Sequence, residues 1–330
     1  PYFRADKDSP LWENGAVGFE LTNGATVRFS GCRGILGGWS QRSRASLIQS
    51  QPIVIGKDCR VEYAYRTNSN GQQYTPYGFR MNGDGATLYI GDGATSGKGD
   101  AIRGLFMARG ASVIVAGVGD PGDPSDPKTD TAANEDGTPV NPDTYGKLTE
   151  GITAYIDAEN GTGFVRWSNG TGSASDTGVN LVVGTNSVLR VRSGLDYGAA
   201  ARSPETPFVK SGAGRALLEF PYVDVKTIVW VDEGSLGGAT EFTNAESTVT
   251  VKAGAGIEAG LSIPVLNLGR EATLFLDPTG GTLLRTTRTF FASGGCYRVE
   301  VLPGVDADEI PEAAGMAPVK LMAWESAALA

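Results

Sequence analysis

The sequence predicts an all-β chain wound as a single-stranded parallel β-helix, a β-solenoid of about ten coils broken by one long loop insertion. Three observations carry this. A turn residue followed by small-x-large-x-large alternation, as in Gly110-Ala111-Ser112-Val113-Ile114-Val115, returns ten times. A short apolar segment stands about eight residues ahead of each copy, as the first strand of a two-strand unit would. Sustained helical periodicity is hard to find in a chain with 47 glycines and 20% charged residues.

Side chains of a strand alternate faces, so Ala111, Val113 and Val115 share one side. One such unit cannot bury its apolar face alone and must stack on copies of itself. The competing architecture is a β-sandwich, whose strands also recur at short intervals. Two features favour the solenoid: the period counts a pair of strands plus a return, and the small-large-large order keeps one direction.

Composition narrows the function. Net charge is −9, which disfavours a nucleic-acid or anionic-membrane partner, and no apolar run approaches a membrane span. The absence of histidine removes Ser-His-Asp and Cys-His catalysis. Three cysteines, Cys32, Cys59 and Cys296, make neither a disulfide framework nor a zinc site.

Residues 1–15 are expected to cap the stack or to reach a neighbouring subunit as an added strand. The solenoid domain is expected over 16–324. Its first four units centre on Val27, Val61, Leu88 and Val113, behind the apolar segments Val17-Phe19-Leu21, Ile53-Ile55, Phe79-Met81 and Leu105-Met107. Asn23-Gly24, Asp58, Asp84-Gly85 and Arg109-Gly110 supply turns that tolerate positive φ. Cys59 falls on the inward small position and reads as a packed free thiol.

The step from Val113 to the next centre, Val165, is about twice the others, because 119–149 is an Asp/Pro/Gly/Thr-rich insertion that should protrude. Asp120, Asp123, Asp126 and Asp130 put hard oxygen ligands at close spacing, the chemistry of a calcium site. The EF-hand pattern is absent, and prolines between the acids more often mark an exposed extended loop.

The repeat resumes with centres at Leu189, Leu218, Val249, Leu274 and Val299. Two decoys lie here. Gly254-Ala255-Gly256-Ile257-Glu258-Ala259 follows a strand like a dinucleotide fingerprint, but Gly260 and Pro264 forbid the helix that it needs. Asn160-Gly161-Thr162 and Asn169-Gly170-Thr171 match the glycosylation sequon, though Asn-Gly is ordinary turn chemistry. An acidic loop over 303–312 precedes a last strand, 319–324. Residues 325–330, like the start at Pro1, are expected to be a cut or processed end, which implies export.

Outward positions of stacked units face one another, so Arg28 should meet Glu62 and Arg190 should meet Glu219 as ladder pairs. A polysaccharide lyase or glycosidase would instead need clustered carboxylates. The outward acids Glu62, Glu219 and Asp224 are scattered. Among the tryptophans, Trp167 follows the inward register, while Trp12, Trp39, Trp230 and Trp324 are candidate sugar platforms, Trp39 foremost.

The unit seen in Gly24-Ala25-Thr26-Val27-Arg28-Phe29, Asp84-Gly85-Ala86-Thr87-Leu88-Tyr89-Ile90 and Glu271-Ala272-Thr273-Leu274-Phe275-Leu276 resembles the repeats of autotransporter passenger domains and autotransporter-associated β-helix surface proteins. The closing Ala317-Pro318-Val319-Lys320-Leu321-Met322-Ala323-Trp324 looks like the strand that finishes such passengers. The resemblance implies a secreted bacterial surface protein with a structural or adhesive role. With the outward acids scattered and the coil ends open to another copy, the expectation is a non-enzymatic extracellular solenoid: a spacer, an adhesin or a filament subunit that joins itself end to end or binds surface glycans. The resemblance carries over no catalytic residue or cofactor. A carbohydrate-active enzyme or glycan-binding module on the same scaffold is the alternative.

Overall fold

The computed structural model describes residues 20–32, 53–65, 79–81, 85–91, 104–108, 110–120, 129–130, 147–156, 164–168, 179–192, 194–196, 207–224, 226–278, 281–304 and 322–329. The architecture is the parallel β-helix that the alternation predicts. Strands stack in parallel sheets of six, seven and thirteen members, and the described residues form no helix.

Three faces arise from these sheets. The first carries Glu20–Leu21, Ile53–Ile55, Phe79–Met81, Gly104–Ala108, Phe164–Ser168 and Gly194–Asp196. The second runs from Thr26–Cys32 through Arg60–Tyr65, Thr87–Ile90 and Ser112–Val115 to Val179–Val183 and Phe208–Ser211, then on to Leu284–Phe291 and Met322–Leu329. The third begins at Thr153–Ile156 and ends at Arg298–Val301.

The predicted inward column is present where the phase is undisturbed. Val27 pairs with Val61, Val61 with Leu88, and Leu88 with Val113. Val61, Leu88 and Val113 are fully buried, as are Ile55 and Met81 on the first face. Each such side chain contributes about 1.5–3 kcal/mol on leaving water, so the column is the main source of cohesion between coils. Cys59 is a buried free thiol at the small position, as expected, and Cys296 is an exposed one.

Beyond the insertion the expected single column breaks. Val113 stacks on Leu181, whereas Val165 pairs with Leu105 and Leu195 on the first face. Leu189 lies between Ala154 and Ala216 on the third face, and Leu274 between Ile257 and Val299. Val249 sits on the second face between Val229 and Leu266. Small-large-large alternation marks whichever inward strand follows a tight turn. Once the excursion returns the chain onto the third face, the same signal therefore labels a different side.

Ile228–Val231 carries the alternation with Thr227 at the small position, Thr227, Val229 and Val231 being buried, whereas Ser235–Gly238 and Gly256–Glu258 carry no such signal. They complete the shortest coils, with Arg215, Ser235, Gly256 and Thr273 in register at steps of 20, 21 and 17 residues.

Turn chemistry follows the sequence at Asn23, Asp58 and Asn186, whose φ values are 57°, 56° and 60°. At the turn after Gly269 the left-handed residue is Glu271, φ 60°. Gly117 and Gly184 are required by contact. A Cβ on Gly117 would stand 2.2 Å from the Thr185 nitrogen, and one on Gly184 2.3 Å from the Gly117 nitrogen. Inward hydroxyls stitch neighbouring coils: Ser187 Oγ donates to the Ala116 carbonyl at 2.6 Å and accepts from the Ile152 N–H at 2.9 Å.

The insertion leaves the stack as its own two-stranded antiparallel pair, Thr129–Asp130 with Lys147–Leu148. Backbone bonds from Gly119 N–H to the Leu148 carbonyl and from Leu148 N–H to the Asp120 carbonyl tie its base to the body. At the far end, Val299 and Val301 are 63% and 47% exposed, whereas Leu274 and Leu276, their partners one coil earlier, are each 7% exposed.

Candidate functional site

The sequence-predicted acids do not converge. Glu62 is on the second face and accepts from Arg60 Nε at 2.8 Å, while its register partner is Arg28, as expected. Glu219 follows the third-face strand Arg215–Leu218 and meets Arg190 Nη1 at 2.5 Å and Arg192 Nε at 3.2 Å. The Arg190–Glu219 pair expected from the ladder is therefore formed, although Arg190 stands opposite Leu217 and reaches along the strand. Asp224 is exposed on the chain between Tyr222–Val223 and Ile228–Val231, two strands of the second face.

Of the proposed calcium ligands, Asp120 uses Oδ2 to accept from the Gly117 N–H at 2.8 Å, a loop-closing bond. Asp123 and Asp126 lie outside the described residues, and Asp130 is placed only as backbone in the antiparallel pair. Among the described residues no group of three metal-ligating side chains forms. Trp167 stands in register with Met107, which is buried. Trp230 is half-buried under Lys252, whose Nζ lies 5.1 Å from the ring centre and 2.8 Å from Asp232. Trp324 pairs with Thr286; Trp12 and Trp39 lie outside the described residues.

A groove forms instead within the second face, at a corner where its strands bend. Tyr222, Glu241, Ser262 and Arg285 occupy successive positions of one row, and Ile228, Thr248, Val265 and Arg288 of the next. The chain spends six residues crossing this corner from 222 to 228 and seven from 241 to 248. It crosses in only three from 262 to 265, and again from 285 to 288. The strands Ser262–Leu268 and Leu284–Phe291 round the corner without a turn. Alternation breaks there, with Val265 and Leu266 both buried and Thr287 and Arg288 both exposed.

That shortening leaves a recess of about 770 Å³, lined by Glu241, Thr243, Ser262, Pro264, Arg285 and Arg288 among others. Arg285 and Arg288 are exposed and hold no ion pair among the described residues. Beneath them Thr286 and Thr289 are buried and share a hydroxyl hydrogen bond of 2.6 Å. The sequence signal for this site was the doubled polar pair Thr287-Arg288 inside an otherwise alternating strand. Only the register shows that it lies in a recess.

Two buried charges lie elsewhere. Glu258, 1% exposed, accepts from Arg215 Nε and Nη2 at 2.8 and 2.7 Å and from Ser235 Oγ at 2.5 Å. Its hydrogen bonds and charge raise the Arg215 guanidinium above its ordinary pKa. Glu258 lies across Gly237, where a Cβ would stand 2.6 Å from Oε2. Lys210 occupies an inward position between Leu181 and Val231, and its Nζ donates to the carbonyls of Ser211, Gly212 and Glu233 at 3.1, 2.6 and 2.7 Å. Burial lowers its pKa to about 8, against the opposing pull of Glu233 and Glu258. All three of its protons are engaged by backbone, so it serves to satisfy corner carbonyls.

No family model matches the chain, and neither a curated protein nor a solved structure matches it.

Proposed function

We propose that this chain is a non-enzymatic extracellular β-solenoid of the bacterial cell surface, a rigid scaffold or adhesin whose coils continue end to end into another copy. The observation that supports this most is the third face's terminal strand, Arg298–Val301. Its inward-column valines are exposed while the residues that they stack on are covered. A parallel coil with uncovered apolar positions, and with one edge unpaired among the described residues, is complementary to the opposite end of the same stack. The arginine pairs on Glu219 and Glu258, which cross between coils, favour carboxylates that hold register over carboxylates poised for catalysis. Export and the surface location rest on the autotransporter-like repeat.

Negative-stain electron micrographs and light scattering across a concentration series test the assembly. Rods that lengthen with concentration, and that shorten in a Val299→Lys/Val301→Lys variant, are the expected result. A particle that stays monomeric throughout contradicts it.

A further inference from the structure

We infer that the recessed corner at Ser262, Arg285 and Arg288 binds an acidic oligosaccharide. The first ground is charge. The chain carries a net charge of −9, yet this recess presents two guanidiniums, free of ion pairs among the described residues, against the single carboxylate of Glu241. A guanidinium presents a fork of N–H donors that matches a carboxylate or sulfate in two parallel hydrogen bonds. Arg285 and Arg288 stand three residues apart on one strand, on either side of the shortened corner.

The second ground is the remainder of the lining. Glu241, Thr243 and Ser262 supply acceptors and donors of the kind that sugar hydroxyls use. Tyr222, 61% exposed, stands on the same row, three strands from Arg285. At one strand spacing per step the row from Tyr222 to Arg285 covers about 14 Å. That step is close to the rise of an extended pyranose chain, so successive sugars meet successive coils. Tyr222 offers an aromatic face to one end while the guanidiniums hold acid groups at the other.

The third ground excludes a peptide added as a strand. That mode needs a free sheet edge. Here Ser262–Leu268 is paired on both sides, and Leu284–Phe291 lies between it and Met322–Leu329. Glu241, Ser262, Arg285 and Arg288 sit on paired strands, with Thr243 next to the strand Glu241–Phe242, so the row is held in place before any ligand arrives.

Calorimetric titration with tetragalacturonate, a sulfated tetrasaccharide, neutral cellotetraose and an acidic hexapeptide tests the site. One of the two acidic glycans is expected to bind the native protein. Cellotetraose and the peptide should bind at least about tenfold more weakly, the loss expected when paired charges are removed. Arg285→Ala/Arg288→Ala should weaken the acidic glycan by at least about tenfold and Tyr222→Ala by about three- to tenfold. Arg298→Ala, an exposed arginine outside the recess, should change nothing, and all variants should keep the native melting temperature. The inference is overturned if neither acidic glycan binds, if the double variant binds equally well, if Arg298→Ala loses as much, or if the peptide binds as tightly. None of these results bears on end-to-end assembly, which is read from rod length.

Discussion

Replacing Glu258 by alanine is expected to destabilise the solenoid by about 3–5 kcal/mol, the cost typical of removing one member of a buried ion pair. The lower end is favoured, because the Arg215 side chain is 29% exposed and water can partly solvate it. Three donors lose their acceptor together: Arg215 Nε, Arg215 Nη2 and Ser235 Oγ. The double variant Arg215→Met/Glu258→Leu should recover most of the loss, since replacing both partners leaves no uncompensated charge. Urea denaturation of the two variants measures this. A loss below about 1 kcal/mol for Glu258→Ala would show that the pair is merely a surface contact.

Lys210 is expected to make stability rise with alkaline pH. Its folded pKa, about 8, lies below the ordinary 10.5 because burial disfavours the ammonium. Below pH 8 both folded and unfolded chains hold the proton, and folding carries the full desolvation penalty. Between the two values the unfolded chain binds a proton that the folded one has released, so unfolding becomes harder as pH rises. The whole interval corresponds to about 3 kcal/mol. Other lysines and tyrosines titrate in the same range, so the quantity to measure is native minus Lys210→Met. That difference in unfolding free energy should grow by about 2–3 kcal/mol from pH 7 to pH 10. A difference that stays flat would mean that the three carbonyls stabilise the ammonium as well as water does.

What the sequence disclosed was the alternation itself. Val27, Val61, Leu88 and Val113 could be placed in one column because each return loop brings the chain back to the same face. The insertion after Val118 removes that guarantee. Leu181, which stands eight residues ahead of the centre Leu189 and so takes the place of a first strand, is the true continuation of Val113. Ser235–Gly238 and Gly256–Glu258 escaped notice because their glycines are packing residues. Gly237 makes room for Glu258, and a Cβ on Gly256 would stand 2.5 Å from the Phe275 ring.

The candidate site was less legible still. Sequence reading searched for tryptophans and clustered acids, while the recess is made by a difference in corner length. The seven residues from Glu241 to Thr248 and the three from Ser262 to Val265 acquire meaning only once Glu241 is known to stack on Ser262 and Thr248 on Val265. In Arg285-Thr286-Thr287-Arg288-Thr289-Phe290-Phe291 only the two phenylalanines give an apolar strand signal, so the arginines ahead of them carry none.

The central claim is that the coils on either side of the insertion join directly, which puts residues 68 positions apart side by side. In the structure Asn180 Nδ2 donates to Ser112 Oγ at 3.3 Å. The most direct measurement is disulfide formation in a background where Cys32, Cys59 and Cys296 are serine. Ser112→Cys/Asn180→Cys should close readily under mild oxidation, and Ile114→Cys/Arg166→Cys, the pair demanded by an unshifted column, should not. Closure of the second pair with none of the first would contradict the account.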